Sequence, residues 1–108
     1  MTVKNIIDHV DKIKPNTFDF ETKLKWIADV EGRVRVEILK EGVEDVIPPM
    51  LESDELLIPY MYADVYVYYI IAMIDFLCGD FEKYYASSKA YNKATSDYAR
   101  LKIRGGAV

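Results

Sequence analysis

The feature that most constrains the fold is a long apolar stretch in the second half of the chain. Over residues 62–77, apolar side chains occupy nearly all sides of a helical wheel. A helix of this kind belongs in the middle of a bundle or against a partner chain. The run over residues 65–78 is shorter than the ~20 residues needed to cross a bilayer. We therefore expect a soluble domain with no membrane association.

A two-residue break follows this third helix. Gly79 suits the left-handed position that ends many helices, and Asp80 can cap a new helix directly. The next helix is predicted from Phe81 to about Arg104, with aromatic residues spaced on one face. Because the break is so short, we expect these two helices to form an antiparallel hairpin.

The start of the chain predicts another helix. Residues 3–13 place apolar side chains every three or four positions, and Thr2 is a suitable N-cap. Pro15 ends this helix, since the residue before a proline avoids helical geometry. The start of the chain lacks a signal peptide's hydrophobic core, so we expect folding in the cytoplasm.

Asn16 and Thr17 offer the N-cap of a second helix, which is predicted to continue to about Lys40. Its apolar residues keep a helical spacing through Gly32, which costs about 1 kcal/mol relative to alanine. Residues 33–39 also alternate apolar and charged side chains, so a strand there is the alternative.

Residues 42–59 connect the second and third helices as a long irregular loop. Gly42, Pro48, Pro49 and Pro59 exclude a regular helix, and a short hairpin is an alternative. Residues 56–58 are expected to anchor its end in the core. The predicted fold is all-α: one domain over residues 1–108, a bundle of about four helices with a flexible tail at residues 105–108.

Charge is distributed unevenly along the chain, whose formal net charge is −4. Residues 41–64 carry seven acids and no base, whereas residues 81–108 carry six bases and two acids. Such a chain can attract copies of itself head to tail. The alternative is that both charged segments are solvated faces. The charged candidates for contact with another chain are Glu44, Asp45, Glu52, Asp54, Glu55, Lys83, Lys89, Lys93 and Arg100.

The residues that carry catalysis are sparse, and we predict no enzyme activity, catalytic residue, cofactor or metal site. His9 has no matched nucleophile, and Ser87 and Ser88 have no base nearby in the sequence. Cys78 is the only cysteine and is predicted to be a small core residue near a helix end. No phosphate-binding glycine loop or zinc spacing occurs.

Tyrosine is over-represented, with nine in the chain and five of them within residues 60–69. A tyrosine combines a large contact area with a polar tip, which suits an interface. Tyr66 and Tyr69 are interpreted as core residues whose hydroxyls reach the surface. Tyr60, Tyr62 and Tyr68 are the candidates for contact with another chain.

Residues 57–66, LIPYMYADVY, resemble the signature segment of small head-to-tail connector (adaptor, or head-completion) proteins of tailed bacteriophages and Gram-positive prophages. The segment departs from that pattern at Met61, where a proline is expected, and at Ala63, where an aspartate is expected. Later and earlier positions add to the likeness, namely Asp75, Gly79, Asp80, Lys83, Tyr84, Tyr91, Asn92 and Ala94, and Ile6, Val10, Lys12, Lys14, Pro15, Asn16, Trp26 and Ile27.

The resemblance implies a structural virion protein that forms a homo-oligomeric ring under the portal, in some cases only on docking. Its partners would be the portal protein and downstream connector or tail proteins, with non-specific contact to packaged DNA. It would assemble in the host cytoplasm and reside at the head-tail junction. From the charges, we expect residues 41–55 of one copy to meet the fourth helix of the next. The alternative is a prophage-encoded helical protein with a DNA-associated or regulatory role.

Overall fold

The computed structural model describes residues 1–105, and in that part of the chain it is all-α, without a strand. The four α-helices are α1 (Val3–Ile13), α2 (Phe20–Arg33), α3 (Asp64–Leu77) and α4 (Phe81–Ile103). A π-helical turn, Val34–Ile38, extends α2, and two 3-10 turns lie at Val43–Asp45 and Tyr60–Tyr62. The predicted class is confirmed. Of the predicted tail, residues 106–108 lie outside the described residues.

Helix α1 begins as the sequence predicts. The Asn5 amide donates to Thr2 Oγ1 (3.2 Å), and the Thr2 amide donates to Asn5 Oδ1 (2.9 Å), which completes a capping box. Four residues of the predicted apolar face are buried, namely Val3, Ile6, Ile7 and Val10. The fifth, Ile13, is the last residue of the helix and is exposed.

Helix α2 begins later than predicted. Asp19, and not Asn16 or Thr17, caps it, because Asp19 Oδ1 accepts the Thr22 amide at 2.9 Å. Asn16 instead forms a local turn by accepting the Phe18 amide. The strand alternative for residues 33–39 is wrong. The chain stays helical, and the Leu39 amide donates to the Val34 carbonyl five residues back.

The hairpin of α3 and α4 is confirmed. Gly79 has φ +76°, and Asp80 caps α4 by accepting the Lys83 amide at 3.3 Å. Aromatic pairs join α4 to α3 and to the turn before α3, and later residues of α3 meet earlier residues of α4, as in an antiparallel pair. The ring centroids are 5.6 Å apart in Tyr62–Tyr98, 5.3 Å in Tyr69–Tyr91 and 5.3 Å in Phe76–Tyr84.

The Gly79→Ala variant is expected to lose about 1–2 kcal/mol of unfolding free energy, because a Cβ disfavours the left-handed backbone. The space around Gly79 is open, so no clash adds to this cost. Gly32 also has open space but lies in helix α2, and Gly32→Ala should therefore raise stability by up to about 1 kcal/mol. Urea denaturation of both variants measures the two effects. A neutral or stabilising Gly79→Ala would contradict the assigned turn.

Helix α3 lies at the centre and packs against the other three helices. The 18-residue stretch Tyr60–Leu77 has a mean hydropathy of 1.2, so its length and composition would allow it to cross a membrane. This stretch is longer than the apolar run recognised in the sequence. It is weak evidence for a membrane span, since the central helix of a soluble bundle has the same character. Here its buried face meets α1, α2 and α4.

The loop over residues 42–59 forms no hairpin of its own. Its second half pairs with the start of the chain, where the Val3 amide donates to the Asp54 carbonyl (3.0 Å) and the Leu56 amide to the Met1 carbonyl (2.9 Å). Leu56 and Ile58 are buried, as predicted for the anchor of this loop. The loop therefore leaves α2 and returns to the core beside α1.

Candidate interaction surfaces

A buried polar network fixes the segment that leads into α3. Tyr66 is fully buried, its hydroxyl donates to the Glu31 carboxylate, and it accepts the Ile58 amide at 3.0 Å. The Leu57 amide also donates to Glu31, at 3.2 Å. Burial, together with the negative charge of Glu31, raises the pKa of Tyr66 above its ordinary value. The prediction that this hydroxyl reaches the surface is wrong, because Glu31 supplies an internal partner.

The network holds the 3-10 turn that precedes α3. Tyr60 and Met61 are 81% and 84% exposed on this turn, whereas Tyr62 is half-buried against Tyr98. Ala63 has helical backbone angles (φ −56°, ψ −25°), so the turn runs directly into α3. The departure from aspartate at this position therefore does not interrupt the helix.

Tyr60 and Met61 border a groove of about 650 Å³ between α1 and α3. Ile6 and Val67 form part of its apolar lining, and His9 lies on its α1 side. Tyr68, the third tyrosine candidate, is half-buried further along α3. Of the three tyrosines, the structure thus presents only Tyr60 fully to solvent.

A second buried polar cluster joins α1 to the hairpin. Asp75 is buried within α3 and forms an ion pair with Lys14 at the end of α1. Ser87 Oγ lies 2.9 Å from Asp75 Oδ2 and 2.8 Å from the Lys83 carbonyl. The sequence showed no base near Ser87, because Asp75 lies twelve residues away on another helix. The signal for it was an acid within the apolar helix α3. This buried cluster links α1 to α3 and α4.

His9 and Cys78, the other residues considered for reactivity, both lie on the surface. His9 is exposed, and no group of three metal-ligating side chains occurs among residues 1–105. Cys78 is exposed, so its prediction as a core residue is wrong. The reason is that α3 ends at Leu77, and the turn that follows it projects beyond the packed part of the bundle.

The acidic loop, residues 41–55, uses half of its six carboxylates within the chain. Glu41 pairs with Arg35 (3.3 Å) and Glu55 with the amino terminus (2.7 Å). Asp54 accepts the amides of Met50 and Leu51, and these bonds lower its pKa. The remaining acids point into solvent, namely Glu44, Asp45 and Glu52.

The basic candidates lie on α4, but they do not share one face. Lys89, Lys93 and Arg100 are exposed at spacings of four and seven residues, which places them on the same side of the helix. Asp97 lies among them and pairs with Lys93 (2.9 Å) and Arg100 (3.4 Å). Lys83 points elsewhere and pairs with Asp80. We call the side with Lys89, Lys93, Arg100 and Arg104 the basic face.

A further exposed apolar patch lies at the turn between α3 and α4. Phe76 and Phe81 have ring centroids 6.1 Å apart, and both are about half exposed. Leu77 and Tyr85 are also exposed. This patch lies at the opposite end of α3 from Tyr60 and Met61, and the sequence analysis did not single it out.

No family model, curated protein or solved structure matches this chain.

Proposed function

We propose that this chain is a structural head-to-tail connector, which forms a ring under the portal of a tailed bacteriophage or prophage and joins head to tail. Support comes from residues 57–66, which resemble the connector signature segment. In the structure, Ile58 and Tyr66 of this segment are buried, while Tyr60 and Met61 project into solvent. The observation that carries the proposal is that one segment has both buried residues that hold it in the core and exposed residues that a partner can contact.

Contacts within the chain hold the backbone next to the exposed residues Tyr60 and Met61, which favours binding. The Leu57 amide donates to Glu31, and the Ile58 amide donates to the Tyr66 hydroxyl. The 3-10 turn that follows continues directly into α3. A preorganised segment loses little conformational entropy on docking, so more of the contact energy appears as affinity. An exposed tyrosine on such a segment, here Tyr60, is a typical anchor of a protein interface.

A ring also requires two different surfaces on each copy, because its contacts are heterologous. The acidic loop and the basic face of α4 supply two surfaces of opposite charge. If part of the basic face borders the channel, its lysine and arginine side chains would contact phosphates of packaged DNA without reading the base sequence.

The experiment is electron microscopy of the protein mixed with the portal protein encoded in the same phage or prophage genome. We expect an additional ring of density on one end of the portal, with the rotational symmetry of an oligomer. Portal particles that remain unchanged at saturating protein, across a range of salt concentrations, would contradict the proposal.

Exposed residues of the signature segment provide the matched variants. The double variant Tyr60→Ala/Met61→Ala should bind the portal at least about tenfold more weakly, because exposed aromatic anchors carry much of an interface's energy. It should unfold at the same temperature as the natural protein, since both side chains are exposed. The control is Tyr85→Ala, because Tyr85 is an exposed tyrosine of α4 near the α3–α4 turn, far from Tyr60. Equal portal binding by all three proteins would remove the proposed role of this segment.

The second candidate is a prophage-encoded helical protein with a DNA-associated or regulatory role, which the basic face of α4 favours. Four bases on one side of a long helix could lie along phosphates. Binding to duplex DNA at physiological salt, with a preference for one base sequence and no binding to the portal, would support this candidate over the connector.

A further inference from the structure

The acidic loop carries an exposed apolar surface as well as charge. Val43, Ile47, Met50 and Leu51 are between 62% and 83% exposed. They lie among the three acids of the loop whose side chains form no ion pair or hydrogen bond within residues 1–105, Glu44, Asp45 and Glu52. Of these, Glu52 lies close enough to Lys4 for the two charges to attract. Apolar side chains that remain in solvent on a loop with negative charges indicate a surface for a basic partner.

Contacts at both ends and within the loop define its shape. At its start, Glu41 donates its amide to the Arg35 carbonyl and its carboxylate pairs with the Arg35 side chain. Near its end, Asp54 accepts two amides of the loop itself. The loop therefore presents its apolar and acidic side chains in a defined arrangement before any partner binds.

The basic face of α4 has the charge and the length to receive it. From Lys89 to Arg104 the helix extends ~22 Å. The four bases and Asp97 give this face a net charge of +3. The three acids of the loop that form no ion pair carry a charge of −3, which is equal in magnitude. The aliphatic parts of lysine and arginine side chains can also cover apolar surface while their charged ends remain in water.

One copy does not satisfy these charges by itself. No ion pair joins the loop to α4 within residues 1–105. Two loops facing each other would repel, as would two basic faces. The attractive arrangement is loop to face. When this contact repeats head to tail, as in the proposed ring, each added copy leaves one loop and one face free until the ring closes.

We infer that the acidic loop of one copy docks on the basic face of α4 in a second copy. This deepens the proposed ring assembly and rests on it. The four exposed apolar side chains of the loop are far fewer than the roughly 20–30 residues per side that bury the ~800 Å² of a standard stable interface. A single contact is therefore weak and depends on charge, so it should be most evident at low salt.

The test exchanges charges between the two surfaces. Glu44→Lys/Asp45→Lys reverses the loop, and Lys89→Glu/Lys93→Glu reverses the face. The natural protein should self-associate in sedimentation at low ionic strength, and each variant alone should do so at least about tenfold more weakly. A 1:1 mixture of the two variants should regain association, because each then meets a surface of opposite charge. High salt should dissociate the natural protein and the mixture alike.

The control is Lys12→Glu/Lys83→Glu, which changes the net charge equally but lies off the basic face. It should associate like the natural protein. A mixture that stays monomeric at low salt would overturn the inference, as would a face-reversed variant that associates normally. The assay uses the free protein, so these results leave the portal-binding test of the connector role unaffected. Variants that still form a ring on the portal would reject the loop-to-face contact while retaining the connector.

Discussion

Replacing Tyr66 with phenylalanine is expected to lower the free energy of unfolding by about 2–3 kcal/mol. The ring would still fill its site, but the Glu31 carboxylate and the Ile58 amide would lose a buried partner. A buried polar group without a partner carries its full desolvation cost, so the loss exceeds that of an ordinary hydrogen bond. For a domain of this size the thermal midpoint should fall by roughly 10–15 °C.

The control is Tyr60→Phe, which removes the same hydroxyl from an exposed ring and should leave stability within about 0.5 kcal/mol. The pH dependence adds a second readout. Because the folded pKa of Tyr66 is raised, its hydroxyl contributes stability that is present below the unfolded pKa and lost as pH rises through the folded value. The difference between the natural protein and Tyr66→Phe should therefore narrow above about pH 10. A constant difference across that range would be inconsistent with the buried hydroxyl.

Replacing Lys14 with methionine is expected to lower the free energy of unfolding by about 3 kcal/mol. The substitution leaves the Asp75 carboxylate, whose side chain is only 2% exposed, without its cation. Breaking a buried pair on one side is costly because the remaining charge stays out of water. We place the effect at the lower end of that range because the Lys14 side chain is a quarter exposed, and solvent already screens part of the pair.

The matched control is Lys12→Met, an exposed lysine on the same helix, which should change stability by less than about 0.5 kcal/mol. Chemical denaturation of both variants gives the comparison. If Lys14→Met were as stable as Lys12→Met, Asp75 would not depend on Lys14, and the link between α1 and the α3–α4 hairpin would be carried by apolar packing alone.

The helices were predictable because each signal is local. Capping at Thr2 and Asp80, the proline at position 15 and the left-handed Gly79 act within one or two turns of the chain. The start of α2 was misplaced because Asn16 and Asp19 are both good caps, and only the packed structure selects between them.

The polar contacts within the core were not predictable, because they join residues far apart in the sequence. Periodicity places Tyr66 on a buried face, but it does not reveal that Glu31 from α2 receives its hydroxyl. The same holds for Asp75, whose partners come from the end of α1 and from α4. These contacts depend on how the helices are arranged, which single-helix patterns do not encode.

The sequence was sufficient to predict that one segment is acidic and another basic, but not which of their residues are free to contact another chain. Asp54 and Glu55 look equivalent to Glu44 in the sequence, yet both form contacts within the chain. Lys83 has the same charge as Lys89 but points to a different side of α4. The aliphatic residues of the acidic loop could not be recognised as exposed, since apolar residues in a loop are equally compatible with a buried anchor.

Cys78 gives each molecule one solvent-exposed cysteine at the tight turn that joins α3 and α4. Because the sequence contains no other cysteine, a maleimide-linked gold particle or fluorophore would mark the same point on every copy without mutagenesis. In averaged micrographs of an assembled particle, the number of labels would count the copies. If the protein binds a portal as we propose, the radius and height of the labels would show which end of the helical hairpin lies nearer the portal.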